Sequence, residues 1–268
     1  NSNSISYSVS PSGAGTINSA TGEMNWDAAF SGTATITATA TGYCNTTTES
    51  LVVEVTPTVG TPTAISVSGG TEPTCQLTDG ATTTTYSTTA TNNTGFNWSI
   101  SNAAAGSIDP TSGVMTWSDG FFGIVDIQVT ANGCNGPSAQ VIRTVNITPT
   151  VGIPSVPASS DLTICQGSGT SDFTTLATNA TSYNWTVTGT GNTISGTGTT
   201  GTVIWDPAFS GAAIVSVTAN GCNGPSTVAS TTVTVLPTPT ATISGDNSVC
   251  QNSALEPEVV FTNPQSLP

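Results

Sequence analysis

The sequence predicts an all-β fold in which small β-sandwich domains follow one another along the chain. The main observation is a repeat: residues 26–36 read WDAAFSGTATI, residues 117–127 read WSDGFFGIVDI, and residues 205–215 read WDPAFSGAAIV. The tryptophans that open these three blocks are 91 and 88 residues apart. A period of that length is too long for a solenoid unit and fits one small sandwich domain.

Short β-branched and apolar runs, each bounded by Gly, Pro, Asn or Asp, supply the strands of one repeat. No helical period extends beyond a turn, so we expect essentially no helix. Within residues 58–149 we expect strands over residues 63–69, 83–90, 95–101, 114–117, 123–131 and 139–148.

One strand shows the buried face of the sandwich most clearly. Val125, Ile127, Val129 and Ala131 alternate with polar residues, as on a sheet with one buried face. The other copies are apolar at the same positions, which are Ala34, Ile36, Ala38 and Ala40 in one copy and Ala213, Val215, Val217 and Ala219 in the other. Two aromatic ladders also recur, and we assign them to the core rather than to stacking on sugars: Trp26, Trp117 and Trp205, and Tyr7, Trp98 and Trp185. Phe30, Phe122 and Phe209 are expected to close one end of each sandwich.

The repeat divides the chain into two complete domains, residues 58–149 and 150–237, and two partial ones, residues 1–57 and 238–268. Because the chain opens and closes inside a repeat, we expect it to be an excerpt of a longer protein. Prolines mark the joints and stiffen them, so we expect an elongated rod of domains. These prolines are Pro57, Pro62, Pro149, Pro154, Pro237 and Pro239.

Composition excludes several classes of function. The 268 residues include one basic residue, Arg143, fifteen acidic residues and no histidine, for a formal charge of −14. Such a chain cannot neutralise phosphates, which argues against nucleic-acid binding and attraction to anionic membranes. No apolar run approaches the ~18 residues that a membrane helix requires, so we expect no membrane insertion.

The chain also lacks the residues of common active sites. Without histidine or lysine there is no base for a Ser or Cys nucleophile, and no nitrogen ligand to share a metal with cysteine. Asp27, Asp119 and Asp206 recur beside the Trp turn, where bonding to their own backbone is the expected role. Glu256 and Glu258 alternate as on an exposed strand face. We therefore expect no catalytic residue, no metal site, no cofactor and no enzymatic activity.

Several blocks together resemble a known repeat family. They are CQGS at residues 165–168, SYNWTV at 182–187, VIWDPAFSG at 203–211 and VSVTANGCNGPS at 215–226. They are similar to the PKD-like, immunoglobulin-like repeats of very large Bacteroidota surface proteins, including the SprB-type gliding-motility adhesins. The resemblance covers the whole chain. It implies export by the type IX secretion system and display on the outer cell surface.

Six cysteines at two repeat positions predict disulfides formed in an oxidising compartment, with buried free thiols as the alternative. Cys44, Cys134 and Cys222 stand in the turn between the last two strands, and Cys75, Cys165 and Cys250 stand near the turn between the first two.

The pairing of these cysteines has three alternatives. In an immunoglobulin topology the two turns lie at opposite ends of a domain, too far apart for one bond, but they face each other between neighbouring domains. We favour Cys75–Cys222 between neighbours, with Cys134 and Cys165 reaching copies outside or at the edge of this excerpt. The within-copy pairs Cys75–Cys134 and Cys165–Cys222 come next, and sequential pairs such as Cys44–Cys75 come last.

The function that these features favour is a structural stalk of a large cell-surface adhesin, which projects adhesive regions for attachment and gliding. Its expected partners are neighbouring repeats, the secretion and outer-membrane attachment machinery, and surface polysaccharide. One alternative is that each repeat itself binds a glycan or surface; the loop between the two tryptophans varies most and could carry specificity. Another is a spacer in a secreted multidomain enzyme.

Overall fold

The structure, a computed structural model, describes residues 4–244, 251 and 260–262. The described chain is built of strands, with two three-residue 3-10 turns at Ser12–Ala14 and Ala103–Ala105. It forms two compact units, residues 1–147 and 148–268. The fold is therefore all-β, as the sequence predicts. The division into four repeats stays a prediction.

The first unit begins with an incomplete sandwich, which contains one three-stranded sheet in the order β1-β4-β5 and a separate hairpin of β2 and β3. Trp26 at the end of the hairpin is 36% exposed, so its assignment to the core is wrong; the hairpin pairs with no third strand among the described residues. The strands are β1 (Ser4–Ser10), β2 (Gly15–Ile17), β3 (Met24–Trp26), β4 (Gly32–Thr41) and β5 (Thr46–Val55).

The rest of the first unit is a complete seven-stranded sandwich. One sheet has the order β6-β7-β10-β9 and the other β12-β11-β8, which is the strand arrangement of a constant-type immunoglobulin domain. The strands are β6 (Ser66–Gly70), β7 (Thr83–Ser87), β8 (Gly95–Ile100), β9 (Gly106–Ile108), β10 (Val114–Trp117), β11 (Gly123–Asn132) and β12 (Val141–Ile147).

The core of this sandwich lies between the two sheets. The alternating face predicted on β11 is buried, since Val125, Ile127, Val129 and Ala131 are at most 1% exposed. Trp117 is 1% exposed, and its indole Nε1 donates to Thr84 Oγ1 at 2.8 Å. This hydroxyl satisfies a donor that would otherwise be buried without a partner.

The second unit contains a sandwich with a similar strand order but a different first strand. Its sheets have the orders β13-β19-β18-β15 and β14-β17-β16, and β13 pairs in parallel with β19. A separate pair of short strands, β20 and β21, follows. The strands are β13 (Thr163–Cys165), β14 (Thr170–Thr174), β15 (Ser182–Val187), β16 (Thr193–Ser195), β17 (Thr200–Ile204), β18 (Gly211–Asn220), β19 (Ala229–Leu236), β20 (Thr242–Ser244) and β21 (Val260–Thr262).

The core of the second sandwich repeats that of the first. Trp205 Nε1 donates to the hydroxyl of Ser171 at 2.9 Å, as Trp117 does to Thr84. A Cβ on Gly201 would lie 2.5 Å from the ring of Trp185, so this position has room for glycine alone. The tryptophan ladders are therefore core residues in both complete sandwiches, and their faces are not available for stacking on a sugar.

Three sequence expectations need correction. Phe122 is 56% exposed and does not close the sandwich; its neighbour Phe121 packs against the core instead. The three-residue strands β9 and β16 were not predicted, because Gly-rich and Asp-Pro sequence surrounds them and reads as a turn. The second strand ends at Ser87 rather than at residue 90, and the first begins at Ser66 rather than at residue 63.

Candidate functional site at the repeat joints

The candidate disulfide cysteines occupy two kinds of connection. Cys44, Cys134 and Cys222 lie between the last two strands of their sandwiches, and Cys75 and Cys165 lie before the second strand. Cys75 and Cys222 are disulfide-bonded. Cys44, Cys134 and Cys165 are free, exposed thiols, and Cys250 is outside the described residues.

The thiol states correct two alternatives. Because Cys134 and Cys165 are free, the within-copy pairs Cys75–Cys134 and Cys165–Cys222 are not formed. The free state of Cys44 likewise excludes Cys44–Cys75. The two cysteines that are bonded are the two that the sequence analysis pairs across neighbouring repeats.

The last-turn cysteines sit against the segment that leads into their own sandwich. In the first unit, the N–H of Val59 donates to the carbonyl of Cys134 at 3.0 Å, and Gly60 N–H donates to the carbonyl of Thr91 at 2.9 Å. Val59 is 7% exposed, and a Cβ on Gly133 would lie 2.8 Å from the Val59 Cβ. The incoming linker is therefore packed on the turn that carries Cys134.

Two asparagines complete this contact. Asn92 Nδ2 donates to the carbonyl of Thr58 at 3.0 Å, and Asn135 Nδ2 donates to Thr58 Oγ1 at 3.0 Å. Both have a positive φ, 54° and 56°, which asparagine adopts more readily than other residues with a side chain. Asn135 of the Asn–Gly–Cys–Asn–Gly–Pro turn and Asn92 therefore hold the linker at Thr58.

The second unit contains the same arrangement in detail. Val151 N–H donates to the carbonyl of Cys222 at 2.9 Å, and Val151 is 7% exposed. Asn179 and Asn223 donate to the carbonyl and hydroxyl of Thr150 at 2.9 and 2.8 Å. The cysteine of the last turn therefore lies at the N-terminal end of its sandwich in both units.

The other cysteine position lies at the opposite, C-terminal end. Cys165 is the last residue of β13 and is aligned with Leu236 at the end of β19. The next residue, Gln166, accepts from the N–H of Thr238 through Oε1 at 2.9 Å and donates through Nε2 to the carbonyl of Ala208 at 2.9 Å. Gln166 therefore holds both the outgoing linker and the turn after Trp205 beside Cys165.

The equivalent glutamine of the first unit makes the corresponding turn contact. Gln76 Nε2 donates to the carbonyl of Gly120 at 2.7 Å, where Gly120 belongs to the turn after Trp117. Each sandwich thus has one cysteine beside its incoming linker and one beside the turn at its far end.

The strongest charge interaction involves the chain's one arginine. Arg143 on β12 makes a bidentate pair with Glu72, at 2.7 Å for Nε to Oε1 and 2.6 Å for Nη2 to Oε2, and Tyr86 O–H donates to Oε1 at 2.8 Å. The hydrogen bonds from Arg143 lower the pKa of Glu72, and burial raises the pKa of Tyr86. This cluster ties the segment after β6 to a strand of each sheet.

The acidic candidates have structural roles. Asp27 and Asp206 accept from the backbone N–H groups of Ala29 and Ala208, at 2.8 and 2.7 Å, as the sequence predicts. Asp109 accepts from the N–H groups of Ser112 and Thr111, and these bonds lower its pKa. Among the described residues no group of three or more Cys, Asp or Glu is placed to hold a metal ion.

An open groove of about 520 Å³ lies on the incomplete first sandwich. It runs along the β2–β3 hairpin, with which no third strand pairs among the described residues. Its lining offers one carboxylate and no basic group, so it holds no catalytic pair. The lining residues are Thr16, Ile17, Asn18, Glu23, Met24 and Asn25.

Comparisons with known proteins support the fold. No protein-family model matches the sequence, and no curated protein is significantly similar to it. Among solved structures, the extracellular cadherin domains 1–4 of protocadherin gamma B7 match with a TM-score of 0.50 at 19% identity, over 88% of this chain and 68% of that one. The titin I-band fragment I67–I69 matches with a TM-score of 0.47 at 11% identity, over 87% of each chain. Immunoglobulin domains 1–4 of Sidekick-1 match with a TM-score of 0.43 at 12% identity, over 87% of this chain and 67% of that one.

At these identities the protocadherin similarity supports the fold alone. With the two sheet orders, it makes this chain an all-β protein of tandem immunoglobulin-like sandwiches. In the described residues, no helix has the length and apolar character needed to cross a bilayer.

The docking of the linker is not among the features predicted from the sequence. The signal was available, since Pro-Thr-Val-Gly occurs at residues 57–60 and again at 149–152. The prolines predict stiff connectors, but the valine two residues after the first proline is a buried residue of the sandwich that follows.

Proposed function

We propose that this chain is a segment of the stalk of a large cell-surface adhesin. The observation that carries the proposal is the duplicated joint, in which Val59 and Val151 dock on the turns of Cys134 and Cys222. A linker that is packed and hydrogen-bonded on its domain loses the freedom of a flexible tether. Such a joint suits a protein whose role is to hold other parts at a distance.

The surface supports the same role. In both complete sandwiches the tryptophans are buried, and the charged cluster of Glu72 and Arg143 is satisfied internally. A glycan-binding module would need exposed aromatic or charged groups that recur from copy to copy. The exposed Phe122 is not such a group, because the other two copies have serine, Ser31 and Ser210, at the same repeat position.

The resemblance to type IX cargoes extends the proposal. The parent protein is a SprB-type or related Bacteroidota adhesin that is exported across the outer membrane and displayed at the cell surface. Its partners are neighbouring repeats, the secretion and attachment machinery and, through its distal parts, surface polysaccharide. Domain-sized units at residues 58–149 and 150–237 carry the spacing function.

Small-angle X-ray scattering of the whole chain tests the rod. A compact protein of this length has a radius of gyration of about 18 Å. Sandwiches that are each roughly 30–40 Å long and joined end to end give about 30 Å or more. A value near the compact one contradicts the stalk.

Removal of whole repeats from the parent protein tests the alternative. A stalk predicts that attachment of cells to a surface weakens gradually as the repeats are removed. If loss of one repeat abolishes attachment while secretion continues, each repeat is a binding module.

A further inference from the structure

The bonded and free cysteines of the described chain follow one rule. The bonded Cys75 has the C-terminal position of its sandwich, and the bonded Cys222 has the N-terminal position of the sandwich that follows along the chain. All other described cysteines are free, so we take these two to be bonded to each other. In the sequence, these two cysteines belong to successive repeats.

The two free thiols of the complete sandwiches occupy the same positions. Cys165 is the counterpart of Cys75, and Gln166 binds its turn carbonyl as Gln76 does. Cys134 is the counterpart of Cys222, with a matching contact to the linker valine. Both thiols are exposed. Their surroundings are those of the bonded pair.

We propose that Cys165 and Cys134 are open half-sites of the same inter-repeat disulfide. Cys165 takes the last-turn cysteine of a repeat of this kind that follows it, and Cys134 takes the first-turn cysteine of a repeat that precedes it. The proposal rests on the tandem-array function given above. It deepens that function, because a disulfide at every joint would make the stalk a covalently cross-linked chain of domains.

The chemistry needs an oxidant, which we take to be a low-molecular-weight disulfide. A thiolate of one cysteine attacks that disulfide and releases one small thiol, which leaves a mixed disulfide on the protein. The second cysteine then attacks the protein sulfur and releases the second small thiol. Two protein thiols are thus oxidised to one disulfide, while the small disulfide is reduced to two thiols.

The test adds one repeat to the whole chain. Residues 150–237 are inserted a second time directly after Pro237, which recreates the Pro-Thr-Val-Gly joint. The extended chain gains two cysteines. If Cys165 bonds to the inserted counterpart of Cys222, the thiol of Cys165 is no longer free, and the inserted counterpart of Cys165 adds one free thiol. The number of thiols alkylated by iodoacetamide then equals that of the original chain. If two more thiols are alkylated, the proposal is wrong.

Peptide mapping without reduction identifies the bond. An exposed Thr227→Ala change in the inserted copy alone marks its last-turn peptide by mass. We expect this peptide linked to Cys165, whose alkylation falls at least about tenfold. The control carries serine at the inserted counterpart of Cys222, and it should show one more free thiol than the extended chain. A peptide linked to any cysteine other than Cys165 overturns the assignment.

A second variant protects the test against misfolding of the extended chain. In the original chain, Cys75→Ser should leave Cys222 free and add one alkylated thiol, whereas Cys134→Ser should leave Cys75 and Cys222 protected. If Cys222 stays oxidised in the Cys75→Ser chain, the pair itself is wrong. These readouts count thiols and are independent of the scattering and attachment measurements, so a rod without cross-links would be recognised as such.

Discussion

The two complete sandwiches solve one packing problem in different ways. In residues 58–149, Glu72 after β6 reaches Arg143 on β12 and Tyr86 on β7 through its carboxylate. In residues 150–237, the matching repeat positions hold Leu162, Thr231 and Phe173, none of which is charged. There the segment is held by the backbone, since Thr234 N–H donates to the Leu162 carbonyl at 2.9 Å and β13 continues as a parallel ladder on β19.

The difference shows which parts of the repeat are interchangeable. Phe173 is fully buried, and Tyr86, with the same buried ring, needs a partner for its hydroxyl, which Glu72 provides. A carboxylate that is only 20% exposed is in turn stabilised by a cation, and Arg143 is the chain's one basic residue. The three residues of the polar cluster therefore depend on one another, and all three are replaced together in the other sandwich. The buried tryptophan and its hydroxyl partner, in contrast, are present in both sandwiches.

The largest expected effect comes from the apolar version of the cluster. Phe173→Ala removes a fully buried ring and leaves a cavity, which costs about 3–5 kcal/mol of unfolding free energy. Hydrogen exchange should show faster opening of β14 and β17 while residues 58–149 keep their protection. Leu176→Ala, at a side chain that is 70% exposed, is the control and should change stability by less than about 0.5 kcal/mol.

The next largest effect on stability is expected for the hydrogen bond from the core tryptophan to a hydroxyl, which both sandwiches contain. Thr84→Val leaves the Trp117 indole N–H buried without an acceptor and costs about 1–3 kcal/mol. Ser171→Ala should cost less than Thr84→Val, because Thr84 also donates to the Thr71 carbonyl at 2.7 Å. Denaturant titration of each variant measures both, and Thr84→Ser should restore stability. Equal stability of Thr84→Val and the unchanged chain would contradict a structural role for this hydroxyl.

The sequence predicts the core residues that both sandwiches share, but it does not predict the polar cluster that one sandwich alone contains. The tryptophans and the alternating apolar strand recur in every copy, and this periodicity is enough to place them in the core. Glu72, Tyr86 and Arg143 are far apart in sequence and occur as a set in one copy, so no repeat or spacing connects them. They meet because the segment after β6 places Glu72 beside Tyr86 on β7 of one sheet and Arg143 on β12 of the other.

The candidate joint likewise has one feature that can be predicted from the sequence and one that cannot. The end-to-end placement of the two cysteine positions follows from their order among the strands, which the sequence supplies. The docking of Val59 and Val151 does not, because a single valine between proline and glycine has no periodicity that would mark it as buried.

Exchange of the cluster sharpens the comparison further. Arg143→Met leaves the Glu72 carboxylate without its cation and should cost about 1–2 kcal/mol, between the values of exposed and buried pairs, since the Arg143 side chain is 37% exposed. The triple change Glu72→Leu, Tyr86→Phe and Arg143→Thr installs the residues of the other sandwich. It should be less destabilised than Arg143→Met alone. A triple variant that is less stable than Arg143→Met would show that the surrounding backbone, not the cluster, makes the two sandwiches differ.

The smallest expected effect is the pH dependence of the polar cluster. The hydrogen bonds from Arg143 lower the pKa of Glu72 below its ordinary value of 4.5. A carboxyl whose pKa is lowered by folding stabilises the folded state above its unfolded pKa, and this stabilisation is lost as the pH falls through the folded pKa.

The unchanged chain should therefore exceed Glu72→Gln in stability at pH 7 by about 1 kcal/mol or less, as for a partly exposed pair. The difference should shrink as the pH is lowered below 4.5. Comparing the two chains at each pH cancels the titration of the other carboxylates. The unchanged chain and an Asp119→Asn chain form the matched control pair, because Asp119 is an exposed carboxylate on the same sandwich. A difference that stays constant from neutral to acidic pH would mean that Glu72 contributes through packing rather than through its charge.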